Sequence, residues 1–335
     1  MYLLCGLLIL PLQSAGADPQ NQVSDAKQES PLRKPRLQYT IIPDNPRPGE
    51  PVTIALIADP VPGGELRASL RTLKGDRLSR ASFFAVSADT MPDTKPDDGG
   101  QPFWAAVLAV PSTAASGFAV IHVETEQGLL AEIPLVLTER KFASEEIELN
   151  QTLTDIRTAP DPQKTAESEL LWAIISRTGN EVYSAGNFIP PVTSTRRTSF
   201  FGDRRVFKYA NGKKDTSIHA GVDYGVPTGT AVSACAGGKV VLARFRIVTG
   251  NSVIIEHLPG VYSLYYHLDK IDAAEGAMVA AGAVLGQSGS TGLATGPHLH
   301  WEIRVSGENT DPDAFVARPI LDKTAILTKM NTGNL

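Results

Sequence analysis

Read for its hydrophobic rhythm, the chain changes period twice. From Leu37 to about residue 138, short apolar runs alternate with polar positions between turn signals, at 52–56, 66–70, 82–86, 104–110, 118–123 and 133–137. A two-residue period is the mark of a strand with one buried face. Six or seven such strands in about 100 residues predict a β-sandwich of immunoglobulin-like size over 37–139. The acidic, Gly/Pro-rich stretch 87–102 between two of the runs reads as an exposed loop.

The period then lengthens. Leu149, Leu153 and Ile156 recur at i, i+4 and i+7, with Ser144 and two glutamates ahead of them, and predict a first helix. Asp161 as N-cap and Pro162 at the first helical position open a second, with Ala166, Leu170 and Ile174 as its apolar stripe and Gly179 as its end. Residues 140–186 are therefore expected to form a short helical connector, a spacer rather than a clamp. From Phe188 the pattern is β again, at 200–209, 238–246, 252–257, 261–267, 283–286 and 296–305, with glycine or proline at every junction. No helical stripe interrupts this run, which predicts an all-β domain over 187–318 and a poorly ordered tail over 319–335. The fold class expected for the chain is mainly β.

The last strand carries the first chemical signal. His298, His300, Glu302 and Arg304 fall on one face, and Leu299, Trp301, Ile303 and Val305 on the other. Two imidazoles on one face converge on a point, as a metal site requires, while the apolar face anchors them. Five of the six histidines lie in this final domain. His219 and Asp223 form an i, i+4 pair, and Gly221, Gly225 and Pro227 exclude a helix there, so the segment is extended. With His300 they make three N/O ligands suited to one Zn²⁺ and leave a fourth position open, the pattern of catalytic rather than structural zinc. No His-Glu-x-x-His helix supplies a glutamate base. His298 and His267 remain for proton transfer, for which imidazole is suited near neutral pH. His257 and His122 read as structural. The segment 286–292 lacks the Lys-Ser/Thr ending of a phosphate loop and reads as a turn-rich wall of a cleft.

Bulk properties narrow the function without deciding it. With 335 residues, 42% hydrophobic and 20% charged, the chain is ordinary globular material, and a net charge of -5 with no basic run argues against nucleic acid. Residues 1–17 resemble an export signal, with an apolar run over 3–12 and Ala15-Gly16-Ala17 as a cleavage site, although no Lys or Arg precedes the run. The run is too short to span a membrane, and no other transmembrane segment is expected. A polar tether over 18–36 follows. Cys5 would leave with the signal, which leaves Cys235 as a small buried residue and permits no internal disulfide. The expected location is the periplasm or cell envelope, or outside the cell; the oligomeric state is not legible.

From about Ser199 to Pro312, a third of the chain, these residues resemble the lysostaphin/LytM-type zinc metallopeptidases of family M23. The stretches that carry the likeness are Ser199-Phe200-Phe201-Gly202-Asp203-Arg204-Arg205, His219 through Thr230, Gly250 through His257, Leu264-Tyr265-Tyr266-His267-Leu268, and Ser290-Thr291-Gly292 through Glu302. The resemblance implies zinc on His219, Asp223 and His300, catalytic histidines at His267 and His298, and a substrate-binding tyrosine in the cleft at Tyr265. It also implies hydrolysis of peptide cross-links in bacterial peptidoglycan. Two other readings compete: a wall-binding regulator that activates another murein hydrolase, and a protease for extracellular Gly-rich proteins. The 37–139 sandwich departs from the family's commonest accessory module, so targeting inferences do not transfer to it.

Overall fold

The structure, a computed structural model, describes residues 36–59, 63–86 and 103–332. The expected leader over 1–17, nearly all of the tether, and the loop 87–102 lie outside the described residues.

The alternating runs of the first half form β1 (Arg36–Ile42), β2 (Pro51–Asp59), β3 (Arg67–Thr72), β4 (Arg77–Ser82), β5 (Phe84–Val86), β6 (Phe103–Ala109), β7 (Gly117–Thr125) and β8 (Gly128–Leu137). They make two antiparallel four-stranded sheets, ordered β1-β2-β6-β5 and β4-β3-β7-β8. Facing side chains such as Ile54, Leu56, Leu70, Leu108, Ile121 and Val123 are fully buried between them. Each contributes about 1.5–3 kcal/mol by leaving water.

The connector departs from its predicted form. The stretch expected to start a helix is a strand, β9 (Ser144–Glu148), and the helix α1 (Gln151–Thr158) begins only after Asn150, whose side chain accepts from Leu153 N. Helix α2 (Pro162–Ile175) starts as predicted, with Asp161 accepting from Gln163 N and Pro162 in the first turn, but ends at Ser176 rather than Gly179. Its expected stripe is also rotated. Ala166 and Leu170 are exposed, and Leu171, Ile174 and Ile175 face the protein.

The last part contains β10 (Arg197–Ser199), β11 (Arg204–Lys208), β12 (Lys214–Ile218), β13 (Val222–Tyr224), β14 (Ala231–Ser233), β15 (Gly238–Arg246), β16 (Gly250–Leu258), β17 (Val261–Ile271), β18 (Met278–Val279), β19 (Val284–Ser288), β20 (Leu299–Val305) and β21 (Glu308–Thr310). Most join one sheet with the path β10-β13-β20-β17-β16-β15-β18. One face packs Leu299, Trp301, Ile303 and Tyr265 into a core that also takes Ala105 and Val107 from the sandwich. The other face places Leu242, Ile254, Tyr262 and Leu264 under α2. β11 lies between β12 and, in parallel, β9 from the connector.

Two helices modify the all-β expectation. α3 (Pro312–Ala317) is capped by Asp311, and α4 (Lys323–Thr332) occupies the stretch expected as a loose tail. Ile326 and Met330, one turn apart, are buried in the shared core, and Lys329 pairs with Asp44 at 2.6 Å. That i, i+4 apolar pair outweighs the polar composition of the segment.

Candidate metal centre

The site grows out of strand register. β13 and β20 run antiparallel with Asp223 directly opposite His300, so one pairing brings a carboxylate and an imidazole from 77 residues apart onto one face. His219 enters from the turn between β12 and β13. Gly221 makes this approach possible, because a Cβ there would lie 2.1 Å from the Trp301 carbonyl oxygen.

The three predicted ligands converge. His219 Nε2 lies 3.0 Å from His300 Nδ1 and 3.1 Å from Asp223 Oδ1, and His300 Nδ1 lies 2.7 Å from the same oxygen. The outer nitrogens are committed elsewhere: His219 Nδ1 to the Phe200 carbonyl at 2.8 Å and His300 Nε2 to Glu302 Oε1 at 3.0 Å. A carbonyl and a carboxylate only accept, so each outer nitrogen carries its proton. The inner nitrogens of neutral rings would then aim lone pairs at each other and at a carboxylate. Such an arrangement is repulsive unless a cation lies among them, and it is how metal-binding histidines are oriented. These residues fit a metal ion.

Electrostatics agree with the geometry. Burial opposes the charge on Asp223, yet His300 and His219 hold its carboxyl well below the usual range. Burial also opposes the charge on Glu302, but Arg304 and His300 bring it down to about 2. For His300 burial is again outweighed, by Asp223 and Glu302, and the imidazole is raised to about 9. A proton is held where a metal would otherwise supply the positive charge.

The two remaining predicted histidines flank this cluster. His298 Nδ1 donates to the Gly296 carbonyl at 2.8 Å, and its Nε2 lies 3.9 Å from Asp223 Oδ1. His267 Nδ1 donates to the Thr291 carbonyl at 2.7 Å, and its ring centroid is 4.8 Å from that of His298. Both present an unprotonated Nε2. Burial keeps them neutral, lowering His298 and bringing His267 down to about 3. His267 has φ 61, an uncommon left-handed conformation for a non-glycine residue.

Tyr265 does not reach the cleft. It lies opposite Trp301 in the sheet, is fully buried, and accepts from Cys235 N at 2.8 Å. Tyr266, opposite His300, is the tyrosine that lines the cleft. The left-handed His267 breaks the strand alternation, so residues 266 and 267 both face the site. His257 is structural as expected, with Nδ1 donating to the Gly237 carbonyl and Nε2 2.7 Å from Ser263 Oγ. Thr291, from the predicted turn-rich wall, holds His267. Glu302 could have been assigned a role from the strand face it shares with His300. Arg205 and Glu145 also line the cleft; Arg205 stands in a stretch that carries the resemblance but was given no role, and Glu145 gave no local signal.

The cleft has a volume of about 480 Å³ and is walled on one side by Glu145, Ile147, Leu149 and Arg157 of the connector. Among the described residues, no helix is long and apolar enough to cross a membrane. The model of peptidase family M23 matches residues 217–312, the segment that holds all three converging ligands. The chain carries an M23 peptidase domain.

Similar proteins extend the M23 match. The DD-carboxypeptidase/endopeptidase Mpg of Neisseria meningitidis serogroup B is 39% identical over 147 residues, 44% of this chain and 33% of that protein. The peptidoglycan DD-endopeptidase ShyA of Vibrio cholerae is 36% identical over 131 residues, 39% of this chain and 30% of its own length. The chain thus spans about a third of the length of these curated relatives. A crystal structure of a candidate peptidase M23 from Pseudomonas aeruginosa superposes with a TM-score of 0.54 at 26% identity, covering 82% of this chain and 95% of the other. An M23 domain implies a bound metal, and His219, Asp223 and His300 are the donors placed to hold it.

Proposed function

We propose that the chain is an exported zinc metalloendopeptidase that hydrolyses peptide cross-links of bacterial peptidoglycan, with one Zn²⁺ on His219, Asp223 and His300. The observation that carries this reading is the convergence of three inner donor atoms at 2.7–3.1 Å, with both outer ring nitrogens facing hydrogen-bond acceptors. Donors around a tetrahedral Zn²⁺ at about 2.0–2.1 Å would stand ~3.3 Å apart, a few tenths more than here. Two imidazoles and a carboxylate, with no thiolate, also suit zinc.

Bound in this cleft, the metal would supply Lewis acidity toward a peptide carbonyl and lower the pKa of water. His298 and His267 do the rest. Each is neutral at pH 7, each is locked in one tautomer by a carbonyl, and each offers Nε2 to the cleft as a proton acceptor and then a donor. Their place beside the three converging donors supports giving them this work. The expected leader at 1–17 belongs to the same reading, since the substrate lies outside the cytoplasm. The DD-carboxypeptidase/endopeptidase Mpg and the peptidoglycan DD-endopeptidase ShyA support the choice of wall peptides over other peptides.

The test is muropeptide mass spectrometry of peptidoglycan incubated with the purified full chain. New free amines and shortened cross-links are expected, abolished by chelator and by His219→Ala or Asp223→Ala, and strongly reduced by His298→Ala. Zinc binding without cleavage, together with stimulation of an added amidase, would identify a wall-binding regulator instead. Preference for a Gly-rich protein over peptidoglycan would identify an extracellular protease.

A further inference from the structure

The carboxylate of Asp223 divides its work between two oxygens. Oδ1 faces His219 and His300, while Oδ2 accepts from Arg205 Nη2 at 2.7 Å. Arg205 is held from behind, its Nε donating to Glu145 Oε1 at 2.5 Å. Glu145 Oε1 also accepts from Ser199 Oγ at 2.9 Å, and that hydroxyl is 3.2 Å from His219 Nδ1. The chain Glu145–Arg205–Asp223 is no accident of long side chains, because β9 pairs in parallel with β11 in a register that sets Arg205 opposite Glu145. Arg205 closes the first stretch that carries the family resemblance, whereas Glu145 lies well before it, in the connector.

We infer that Arg205, oriented by Glu145 of the connector strand, is a positioning residue that fixes Asp223 as a one-oxygen metal ligand. The inference rests on the metal-dependent reading given above. Two physical effects act together. A guanidinium whose rigid fork holds Oδ2 through Nη2 and Glu145 through Nε prevents the carboxylate from rotating both oxygens toward the ion. Its positive charge would by itself repel a dication, and Glu145 offsets that charge, so that the ion meets a net negative group. Arg205 is mostly buried, with 16% of its side chain exposed, which limits screening by water. The connector is then part of the metal centre as well as the link between two folded regions.

The test is the affinity of the metal-free full chain for Zn²⁺ alone, measured by competition with a chromophoric chelator in the absence of any substrate. Arg205→Met is expected to weaken binding roughly 10–100-fold and Glu145→Gln roughly tenfold, the range for residues that orient ligands. Arg205→Lys, which keeps the charge and loses the fork, should fall between Arg205→Met and the wild type. The double variant should bind no more weakly than Arg205→Met alone, because Glu145 acts through Arg205. Glu148→Gln, on the same strand with 84% of its side chain exposed, should bind as the wild type does. Wild-type affinity in Arg205→Met or Glu145→Gln, or full additivity in the double variant, would overturn the inference. If circular dichroism shows Arg205→Met to be unfolded, Glu145→Gln and its combination with Arg205→Lys carry the same comparison. A wild-type chain that binds zinc and cleaves nothing would defeat the proposed hydrolysis and leave this inference standing.

Discussion

Tyr266 lies flat against His300, with ring planes 4° apart and centroids 5.6 Å apart. The contact follows from sheet register, since the two residues are opposite each other on β17 and β20. A parallel plate restricts the imidazole to the plane in which Nδ1 meets Asp223 and Nε2 meets Glu302. Stacked ring pairs contribute about 0.5–1.5 kcal/mol beyond burial. Tyr266→Leu should therefore weaken zinc binding by roughly 2–10-fold in chelator competition.

Tyr265 should behave in the opposite way. Its hydroxyl accepts from Cys235 N deep in the core, so Tyr265→Phe leaves a buried N–H without its acceptor, at a cost of about 1–3 kcal/mol. Urea unfolding should register that loss, while zinc affinity and KM stay at wild-type values. A raised KM in Tyr265→Phe would instead return this residue to substrate contact.

The state of His300 without metal predicts a proton count. Burial alone would lower this imidazole, but Asp223 and Glu302 raise it to about 9, so at pH 7 the metal-free site holds a proton that the ion must displace. Zinc uptake at pH 7 should release about one proton from this residue. Apparent affinity should rise about tenfold per pH unit up to that value and then level off. Titration calorimetry in two buffers of different ionisation enthalpy reads the proton directly, and buffer-independent heats at pH 7 would contradict the assignment.

The three converging donors were legible because two local patterns met: a His-x₃-Asp run whose glycines forbid a helix, and an alternating strand with His298 and His300 on its polar face. The cleft tyrosine was not: the resemblance alone points to Tyr265, and a strict two-residue period would set it on the same side as His267. The left-handed backbone at His267 breaks that period at the site itself. Ser144 to Glu148 was misread for a different reason. The helix-like spacing of Leu149, Leu153 and Ile156 begins only after it, and Glu145 and Ile147 alternate inward as a strand because β11, some sixty residues later, offers an edge. Nothing nearby in the sequence announces that edge, and Arg205 and Glu145 were invisible as partners for the same reason. The sandwich strands were legible because their partners are mostly neighbours or near-neighbours in the chain.

His257 should shape the acid limb of stability. It is fully buried and brought down to about 4 by burial, against 6.5 for an ordinary histidine. As pH falls below 6.5 the unfolded chain takes up a proton that the folded chain refuses until about 4. Stability therefore falls across that window by up to about 1.4 kcal/mol per pH unit for this one group. His257→Gln can still donate to the Gly237 carbonyl and accept from Ser263, and it cannot titrate. Urea midpoints at pH 7, 5.5 and 4.5 should decline less steeply in this variant; equal declines would count against the assignment.

Gly250 links backbone geometry to His267. It opens β16 with φ 65, and a Cβ there would stand 2.2 Å from Thr291 Oγ1 and 2.4 Å from the Thr291 carbonyl oxygen. That carbonyl is the acceptor that fixes the tautomer of His267, and the hydroxyl bridges Asn251 N and the Leu268 carbonyl. Gly250→Ala must pay for a left-handed alanine, about 1–2 kcal/mol, and for overpacking, about 1–3 kcal/mol more. The displaced atoms touch His267 and none of the three converging ligands. Turnover should then fall by an order of magnitude or more, while zinc affinity stays within about twofold of wild type, since no ligand-orienting contact is lost. Equal losses in both would place the Thr291 wall in the metal centre rather than behind His267 alone.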